Sequence, residues 1–528
     1  MFNAPKTFAL ALLAGLPFAL AACGSTGSSS ATRGPLVLDG DIGEWRRDAV
    51  AVADERFVYL RFAIEGEDQR TLQANTETTR IAIDADRNPE TGLRLEGLPD
   101  VEPLGVDLDV FLSPNVASLP EETRARFTRW AESRGLDAPA VSSGVAVRQY
   151  DAGGDPRASS HAEVDFALAP TYASPWFEAR IGRLSTALIG SGIDDEGSAR
   201  GLVLIEDEAG EIAGYSDAFD IDLPRPARDL GLTDVAVPAQ QPGTLRVVSF
   251  NVLRAKPARE PEAFARLITA LAPDVILFQE FGGLTGEELA DWLDQHVGAL
   301  DGKRVGADAE TPSASASGWH AEAETDLGVA VASPHPISPA FLGPLSYAEG
   351  DREVDIRAVA GVVETPFGEV LASSVHLKCC GSANGPEDRV RMIEAEAIRG
   401  ALAQLSDSID PSMVVLGGDI NLVGTRPPLD AMRASLDRDG TDLAHADPRV
   451  LGDNAYYTWT DPSSAFSPGR LDWITYSDST AAVAEAFVLD LGRLTRERVQ
   501  AAGLVPSDTA ASDHLPVVVD LRPITPQP

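Results

Sequence analysis

The first half of the chain alternates hydrophobic and polar residues with the period of two that is typical of β-strands. Between Leu36 and about Leu223 the runs are short and are separated by Gly, Pro, Asn and Asp, as in antiparallel strands joined by turns. The strand-like runs are Phe57–Phe62, Arg80–Ile83, Val106–Leu112, Gly144–Arg148 and Trp176–Ile181. Glu121–Glu132 has a helical pattern instead. Together these runs predict an N-terminal antiparallel β-sandwich over residues 36–223.

The second half of the chain alternates strands with helices, which predicts a sheet core covered by helices. The predicted strands are Leu245–Phe250, Val275–Phe278, Gly328–Ala332, Val359–Val363, Val370–Val375, Met413–Leu416, Trp473–Tyr476 and Val517–Leu521. The predicted helices are Glu260–Leu271, Glu287–His296 and Pro386–Leu405. The apolar face of the first helix consists of Phe264, Leu267, Ile268 and Leu271. Residues 224–243 are rich in Pro, Ala and Gln and predict a linker, so that the second domain spans residues 244–523.

The N-terminal 24 residues have the pattern of an export signal. Lys6 precedes the apolar run Phe8–Phe18, which is too short to span a bilayer, and Leu20–Gly24 follows. This segment resembles a bacterial lipoprotein signal peptide, which implies cleavage after residue 22 and acylation of Cys23. A plain secretory signal is the alternative. Residues 23–35 then form a lipidated, flexible tether, and the protein is expected to be exported and anchored to the membrane or cell surface.

The length of the chain indicates how many domains it has, and its charge limits the kinds of partner it can bind. With 528 residues the chain exceeds the size at which one hydrophobic core stops growing, so at least two domains are expected. It has 43 Lys and Arg against 81 Asp and Glu, a net charge of −38. Such a field repels nucleic acids and anionic membranes at long range, although a bound divalent cation reverses the sign locally. Acidity therefore disfavours a polyanionic substrate without excluding one.

Polar side chains follow the apolar strands of the second half, where the chemistry of a site is expected. The clearest case is Met413–Asn421, in which an apolar run ends at two glycines and is followed by Asp419 and Asn421. Positions i and i+2 lie on one side of an extended chain, and glycines leave room for a ligand to approach the backbone. The other such clusters are Phe250–Asn251, Gln279–Glu280, Val375–Leu377, Leu471–Ile474 and Ser512–His514.

These six clusters, in this order, resemble the endonuclease/exonuclease/phosphatase superfamily of metal-dependent phosphate-ester hydrolases. The resemblance covers Leu245 to about Leu521. It implies an α/β four-layer sandwich, with two β-sheets flanked by helices and the site at one edge.

The resemblance also implies the roles of individual residues. Glu280 matches the metal ligand of the family, and Asn251 and Asp513 match groups that support the metal or the phosphate. Hard carboxylate and amide oxygens suit Mg²⁺ or Mn²⁺.

The resemblance implies that the remaining matched residues act on the attacking water and on the leaving group. Asp419 and Asn421 match the pair that orients and activates the attacking water. His514 matches the catalytic histidine and Asp472 the carboxylate that holds it. His376 matches the second histidine, which contacts the phosphate or helps to protonate the leaving oxygen. A carboxylate beside a histidine raises its pKa and fixes its tautomer.

The N-terminal half also resembles a known domain. Leu38–Trp45, Val58–Phe62 and Ile83–Asn88 are similar to the carbohydrate-binding, family-nine-like β-sandwich of secreted bacterial proteins. The resemblance implies contact with a glycan, for which Trp45 and Trp176 are candidate stacking platforms; buried core tryptophans are the favoured alternative. Asp84, Asp86 and Asn88 have the spacing of a Ca²⁺ site, but the same spacing is common in solvated turns, which we favour.

Cys379 and Cys380 follow His376 by three and four residues and are, with Cys23, the cysteines of the chain. Adjacent Cα atoms lie about 3.8 Å apart, below the roughly 4.4 Å minimum usual for a disulfide, so a bond between these cysteines would be strained. Two free thiols and a vicinal disulfide are both consistent with the sequence, and a metal-ligand role is less favoured.

Together these patterns predict a surface-anchored, divalent-metal-dependent hydrolase of phosphate esters, either phosphodiesters or phosphomonoesters. An extracellular nuclease that takes DNA or RNA as substrate is the first alternative. The second is a glycan-binding surface lipoprotein without catalytic activity. The sequence lacks a basic stripe interleaved with aromatic residues, which disfavours the nuclease.

Overall fold

A computed structural model of the protein describes residues 36–46, 49–64, 70–119, 121–132, 141–189, 196–227, 231–298, 300, 318–324, 326, 328–340 and 342–524. The predicted signal peptide and Cys23 lie outside the described residues, as does the tether. The chain divides into two compact units: the first is Met1–Gly231 with Asp461–Gly469, and the second is Leu232–Thr460 with Arg470–Pro528. No helix among the described residues combines the length and apolarity needed to cross a membrane.

The first unit consists mostly of antiparallel strands. Its strands are β1 (Ala51–Ala53), β2 (Phe57–Ala63), β3 (Thr78–Asp84), β4 (Leu93–Leu95), β5 (Leu104–Val106), β6 (Leu108–Leu112), β7 (Val145–Tyr150), β8 (Pro156–Ser159), β9 (Ala167–Ala169), β10 (Trp176–Gly182), β11 (Gly197–Glu206), β12 (Ile212–Tyr215) and β13 (Phe219–Leu223). Helix α1 (Glu121–Glu132) has the predicted bounds. The strands form a four-stranded sheet in the order β1-β2-β10-β9 and a seven-stranded sheet in the order β12-β11-β3-β6-β7-β8, with β13 paired to β11. Strands β4 and β5 form a separate pair.

Alternate residues of these strands share one hydrophobic core. On β2 the buried residues of this core are Val58, Leu60 and Phe62, and on β6 they are Leu108, Val110 and Leu112. Strands β3, β10 and β11 contribute to the same core, so both larger sheets bury one face in it. The period-two pattern in the sequence therefore marks the buried face of each sheet.

The second unit combines two mixed sheets with helices. Its strands are β14 (Leu245–Asn251), β15 (Val275–Gln279), β16 (His320–Glu324), β17 (Val329–Ser333), β18 (Ile337–Ala340), β19 (Ser346–Glu349), β20 (Arg352–Asp355), β21 (Ala358–Thr365), β22 (Gly368–His376), β23 (Met413–Asp419), β24 (Ala444–His445), β25 (Arg449–Val450), β26 (Asp472–Tyr476), β27 (Ala481–Val488) and β28 (Val517–Pro523). Its helices are α2 (Pro261–Leu271), α3 (Gly286–His296), α4 (Pro386–Ile409), α5 (Pro427–Arg433) and α6 (Arg496–Ala501).

Each of the two larger sheets of this unit has one central pair of parallel strands. The seven-stranded sheet has the order β16-β17-β15-β14-β28-β27-β25, with β14 parallel to β15. The six-stranded sheet has the order β18-β21-β22-β23-β26-β24, with β22 parallel to β23. Side chains connect the sheets: the Ser374 hydroxyl on β22 donates to the Phe278 carbonyl on β15 and accepts from the Gln279 amide. Parallel neighbours end at the same edge of their sheet, which brings their C-terminal residues together.

Helix α2 packs against the sheet with the apolar face that the sequence pattern predicts. Its predicted apolar face, with Phe264, Leu267, Ile268 and Leu271, is buried in a core that also contains Phe250 of β14 and Phe278 of β15. Pro261 occupies the first turn, where its missing N–H has no helical partner to lose. Helix α2 therefore covers the outer face of the seven-stranded sheet and holds the parallel pair β14 and β15 in place.

Candidate active site

Three of the predicted site residues lie side by side on adjacent strands of the six-stranded sheet. His376 at the end of β22 is in register with Asp419 at the end of β23, and Asp419 is in register with Asp472 at the start of β26. All three side chains are buried. Two carboxylates and an imidazole thus occupy one row across the sheet, although they are separated by up to 96 positions in the sequence.

The glycine pair before Asp419 brings the strands close together. At Gly418 φ is +143°, and a Cβ atom there would overlap the Val375 carbonyl oxygen. The expectation that the glycines admit a ligand to the backbone is wrong for Gly418, because the neighbouring strand fills that space. The glycine instead lets β22 and β23 approach closely enough to align His376 with Asp419.

Asn421 reaches the same region by a different route from the one predicted. Its φ is +50°, so the chain is not extended here, and the strand has ended at Asp419. The turn lets the Asn421 N–H donate to Oδ1 of Asp419 at 3.0 Å. The Asn421 side-chain amide donates to the Leu377 carbonyl at 3.1 Å. Asn421 therefore ties the strand end of Asp419 to the segment that follows His376.

His514 lies between the two carboxylates of the row. Its Nδ1 is 2.8 Å from Oδ2 of Asp472, and its Nε2 is 3.6 Å from Oδ2 of Asp419. The Thr458 hydroxyl also donates to Oδ2 of Asp472, at 2.7 Å. Asp472 thereby fixes the ring orientation of His514 and directs its Nε2 toward Asp419.

The seven-stranded sheet contributes Asn251 and Glu280 from the ends of its parallel pair. Nδ2 of Asn251 donates to Oδ2 of Asp419 at 3.2 Å and to Oε1 of Glu280 at 3.3 Å. Glu280 follows β15 with φ of +58°, and its Oε2 accepts from the Arg254 N–H at 2.9 Å. The amide nitrogen of Asn251 thus holds two carboxylates near each other. Oδ1 of Asn251 accepts from the Leu253 N–H at 3.1 Å.

Asp513 lies next to His514 and has one engaged carboxylate oxygen and one without a partner. Its Oδ2 accepts from Nε1 of Trp459 at 3.1 Å. Its Oδ1 is buried and has no hydrogen-bond partner among the described residues. A buried carboxylate oxygen without a donor is costly unless a cation or a water satisfies it.

Burial and neighbouring charges set the protonation of the buried pair Asp419 and His514. Burial raises the pKa of Asp419 to about 7, against the lowering effect of His514. Burial by itself lowers the pKa of His514, but the carboxylates of Asp472 and Asp419 raise it to about 10. His514 is thus held as a cation between two carboxylates, and it offsets the repulsion that their alignment would cause.

The pKa of His376 shifts in the opposite direction to that of His514. Part of the cause is Arg357, a residue that the sequence analysis did not identify. Nη1 of Arg357 lies 2.9 Å from Nδ1 of His376, and its Nη2 donates to the Leu377 carbonyl at 2.7 Å. Burial, Arg357 and His514 together lower the pKa of His376. The same Nη1 lies 3.2 Å from Nε2 of His376. A guanidinium only donates, so a ring nitrogen that accepts from it belongs to a neutral imidazole. Nε2 also lies 3.4 Å from Oδ2 of Asp419. The only signal in the sequence is an arginine before β21, which has no motif around it.

The donor set around this row fits a hard divalent cation. Oxygen atoms of Glu280 and Asp513 and the carboxylate of Asp419 are of the type that Mg²⁺ and Mn²⁺ prefer. By geometry, Asp419, Asp472 and His514 offer ligand atoms within 4.8 Å of one another. Asp472 contacts His514 through Oδ2, while its Oδ1, like Oδ1 of Asp513, is buried and has no hydrogen-bond partner among the described residues. Glu280 and Asp513, which the resemblance matches to the metal and its support, remain the candidates to hold a metal.

The family of the protein follows from this arrangement and from a sequence match. The model of the Endonuclease/Exonuclease/phosphatase family matches residues 248–514, which include every predicted site residue of the second unit. The chain belongs to the endonuclease/exonuclease/phosphatase family. It is accordingly a metal-dependent hydrolase of phosphate esters, as the sequence predicted. No curated protein matches the chain.

Several solved structures are similar to about half of this chain. The human Nocturnin catalytic domain with bound sulfate is 18% identical, with a TM-score of 0.33, and the match covers 54% of this chain and 96% of that one. Beta toxin from Staphylococcus aureus is 21% identical, with a TM-score of 0.30 and coverage of 52% and 99%. Sphingomyelinase C from Streptomyces griseocarneus is 18% identical, with a TM-score of 0.30 and the same coverage.

The candidate residues of the first unit have structural partners. Trp45 is buried, and its Nε1 donates to Glu178, which agrees with the core alternative and rules it out as an exposed stacking platform. Trp176 is partly buried, with the Arg61 guanidinium 5.6 Å from its ring centre.

The predicted calcium ligands of the first unit form a turn. The backbone N–H of Asn88 donates to Asp84 and Asp86, and Oδ1 of Asn88 accepts from the Glu90 N–H, as in the favoured turn. Asp107 joins Asp84 and Asp86 in an acidic cluster.

Proposed function

We propose that the second unit is a divalent-metal-dependent phosphoesterase that acts on phosphodiesters or phosphomonoesters. The observation that carries the proposal is the buried row of His376, Asp419 and Asp472, with His514 between its two carboxylates and Asn251 and Glu280 beside Asp419. Hydrolysis of a phosphate ester needs a positioned water, a group that exchanges protons and an environment that offsets negative charge. The row provides residues for each of these tasks.

The metal site that we propose is formed by Glu280 and Asp513, with Asn251 in support. The carboxylate of Glu280 is partly exposed, and Oδ1 of Asp513 has no partner among the described residues. A bound Mg²⁺ or Mn²⁺ would supply charge stabilisation for the phosphate oxygens.

The residues of the row have separate roles in this proposal. Asp472 holds Nδ1 of His514, which leaves Nε2 of His514 to exchange a proton with a water or a leaving oxygen. Asp419 accepts a hydrogen bond from the attacking water, and Asn421 fixes the Asp419 carboxylate through its backbone N–H. Neutral His376 donates its ring N–H to a phosphate oxygen, and Arg357 holds the ring in place. These groups approach one region from strand ends and from the loops beside them, so little rearrangement is needed for catalysis.

The net charge of the chain favours a small ester over nucleic acid. A net charge of −38 opposes the approach of a long polyanion, whose affinity comes mainly from cationic side chains that neutralise its phosphates. A small phosphate ester experiences much less of this repulsion. The substrate class is therefore best tested by comparing small esters with DNA.

The test is a hydrolysis assay on the purified chain with three substrates: bis(p-nitrophenyl) phosphate, p-nitrophenyl phosphate and supercoiled plasmid. Each is incubated with Mg²⁺, with Mn²⁺ or with a chelator. We expect metal-dependent release of nitrophenol and intact plasmid, and the preferred ester identifies the class. Nicking of plasmid without nitrophenol release would replace this proposal with the nuclease. Turnover that is unchanged by the chelator would contradict the metal site.

A matched pair of histidine variants tests the catalytic row. His514→Ala should abolish turnover without loss of fold. His335→Ala is the control, because His335 also pairs with a buried aspartate, Asp274, but lies at the opposite end of β17 from the site. Wild-type turnover in His514→Ala, or equal losses in both variants, would contradict the assignment.

The N-terminal sequence and the sheets support two further parts of the proposal. The signal-like segment supports an exported lipoprotein anchored through Cys23, and incorporation of labelled palmitate that is lost in Cys23→Ser would test this. The shared core of two antiparallel sheets supports a β-sandwich in the first unit. In the second, the helix-covered sheet and the Ser374 hydrogen bonds between sheets support the four-layer sandwich. Glycan contact stays a prediction of the N-terminal sequence.

A further inference from the structure

We propose that Cys379 and Cys380 form a reversible dithiol–disulfide site on the loop that follows His376. The two Sγ atoms lie 2.9 Å apart, with the Cys380 thiol donating to Cys379. Both residues are exposed and neither forms a disulfide in the described structure. A disulfide is about 2.05 Å long, so closure requires the sulfur atoms to approach by only about 0.9 Å.

The backbone of the loop holds the two thiols together. Nη1 of Arg391 donates to the carbonyls of Lys378 and Cys380, at 2.9 and 2.8 Å. Arg391 is fully buried, and its Nη2 donates to Asp388 at 3.2 Å. Cys380 has φ of +70°, in the left-handed region that few residues with a side chain adopt. A buried arginine thus fixes an uncommon backbone conformation in which adjacent side chains meet.

The electrostatic environment divides the two thiols into a nucleophile and a resolving partner. The hydrogen bond from Cys380 and the charges of Lys378, Arg357 and Arg391 lower the pKa of Cys379 to about 6, although burial opposes this. The same hydrogen bond raises the pKa of Cys380. Cys379 is therefore the thiolate that attacks first, since the thiolate is the reactive form.

The oxidant that we infer is a low-molecular-weight disulfide such as glutathione disulfide. The Cys379 thiolate attacks one sulfur of the oxidant, which forms a mixed disulfide and expels one glutathione thiolate. Cys380 then loses its proton to solvent and attacks Sγ of Cys379, which expels the second glutathione thiolate. Two protein thiols are oxidised to one disulfide, and one glutathione disulfide is reduced to two glutathione molecules. Because the Cα atoms are only about 3.8 Å apart, the new ring is strained and a dithiol reduces it readily.

The pair lies close in the chain to the residues of the catalytic row. Two residues before Cys379, the Leu377 N–H donates to the Asp419 carbonyl at 2.9 Å, and the Leu377 carbonyl accepts from Asn421. The thiol chemistry itself does not depend on the proposed phosphoesterase activity, so it is tested without an activity assay.

The experiment exposes the full reduced chain to glutathione disulfide, alkylates the remaining thiols and digests the protein with trypsin. Cleavage after Lys378 and Arg389 yields one peptide, residues 379–389, that contains both cysteines and excludes Cys23. We expect this peptide to lose two hydrogens and to carry neither alkyl groups nor glutathione. Treatment with dithiothreitol should then restore two alkylatable thiols.

Single variants provide the matched control. Cys380→Ser retains the nucleophile without its resolving partner, so it should accumulate a stable glutathione adduct on Cys379. Cys379→Ser should form its adduct more slowly. The proposal is overturned if wild type retains two alkylatable thiols, carries glutathione at this peptide or forms a disulfide between two chains.

Discussion

The two units each contain a buried acidic cluster, and the clusters differ in what satisfies their oxygens. In the first unit, Asp84 and Asp107 accept from backbone N–H groups of the surrounding loops, including Gly105 at 3.2 Å and Ala85 at 2.8 Å. In the second unit, Asp419 accepts from the Asn421 N–H and also from a side chain of the other large sheet, Nδ2 of Asn251 at 3.2 Å, with Nε2 of His514 at 3.6 Å.

This difference separates an acidic turn from a reactive site better than burial does. Burial raises the pKa of Asp107 to about 6 and that of Asp419 to about 7, so a raised pKa marks both. Backbone donors stabilise the turn that supplies them. Side-chain donors from separate strands can exchange a proton or turn toward a ligand. A buried carboxylate whose partners are histidine and amide side chains is therefore the better candidate for chemistry.

The largest expected effect comes from removing one carboxylate charge in the cluster of the second unit. The same change in the first unit is its control. We expect Asp419→Asn to lower kcat for the small ester by ~10²-fold to ~10⁴-fold, because the amide can no longer accept a proton. The folded state should persist, since a buried charge is removed. The measurement is steady-state turnover with saturating Mg²⁺, together with circular dichroism to check the fold.

Asp107→Asn is the matched control in the first unit. It should leave turnover unchanged and the fold intact, because it also removes a buried charge and the amide keeps an oxygen that can accept from a backbone N–H. The comparison fails if Asp107→Asn reduces turnover as strongly as Asp419→Asn does.

A smaller effect is expected from Arg357, a positioning residue that acts through His376. Arg357→Gln should lower kcat by ~10-fold to ~100-fold, as for other groups that orient a reactive side chain. The Michaelis constant should change less, because the His376 ring loses its orientation for the reaction. Added guanidinium ion should restore part of the rate.

Arg352→Gln is the control for this change. Arg352 is exposed on β20, so its substitution removes the same charge from a surface position. An equal loss in Arg352→Gln, or no rescue by guanidinium, would mean that Arg357 acts through overall charge or stability.

The elements that could be predicted from sequence are those whose own residues carry the signal. The apolar strands β14, β15 and β23 and the apolar face of α2 lie where the pattern placed them. Strand β27 was missed because its sequence, AAVAEAFV, is rich in alanine, which is as compatible with a helix. It forms a strand because β28 pairs with it along its whole length.

The candidate site also contains residues with a local sequence signal and residues without one. The strand-end pattern located Asp419 and His514, because an acid or histidine directly after an apolar run is visible in sequence. Arg357 and Thr458 were missed, since their roles depend on contacts with residues 19 and 14 positions away and have no local pattern. The grouping of residues 461–469 with the first unit also depends on tertiary contacts, and the domain prediction did not include it.

The smallest expected effect concerns Glu178, a buried carboxyl of the first unit. It accepts from Nε1 of Trp45 and from the Gly40 N–H. Burial raises its pKa to about 8, and the nearby carboxylates Glu44 and Asp39 add to the rise. Because the folded state binds this proton more tightly than the unfolded state, Glu178 contributes stability below pH ~4.5. That contribution is lost as pH rises through about 8.

Glu178→Gln should therefore weaken the pH dependence of the first unit's stability. We expect the melting temperature of the wild type to fall relative to the variant between pH 5 and pH 9, by about 2–4 °C per kcal/mol of lost stability. Thermal melts followed by tryptophan fluorescence measure this difference, with exposed Glu211→Gln as the control. Parallel pH profiles for wild type and Glu178→Gln would mean that Glu178 is already ionised in the folded state, with the two donors outweighing burial. The first unit would then resemble the second in holding a charged carboxylate.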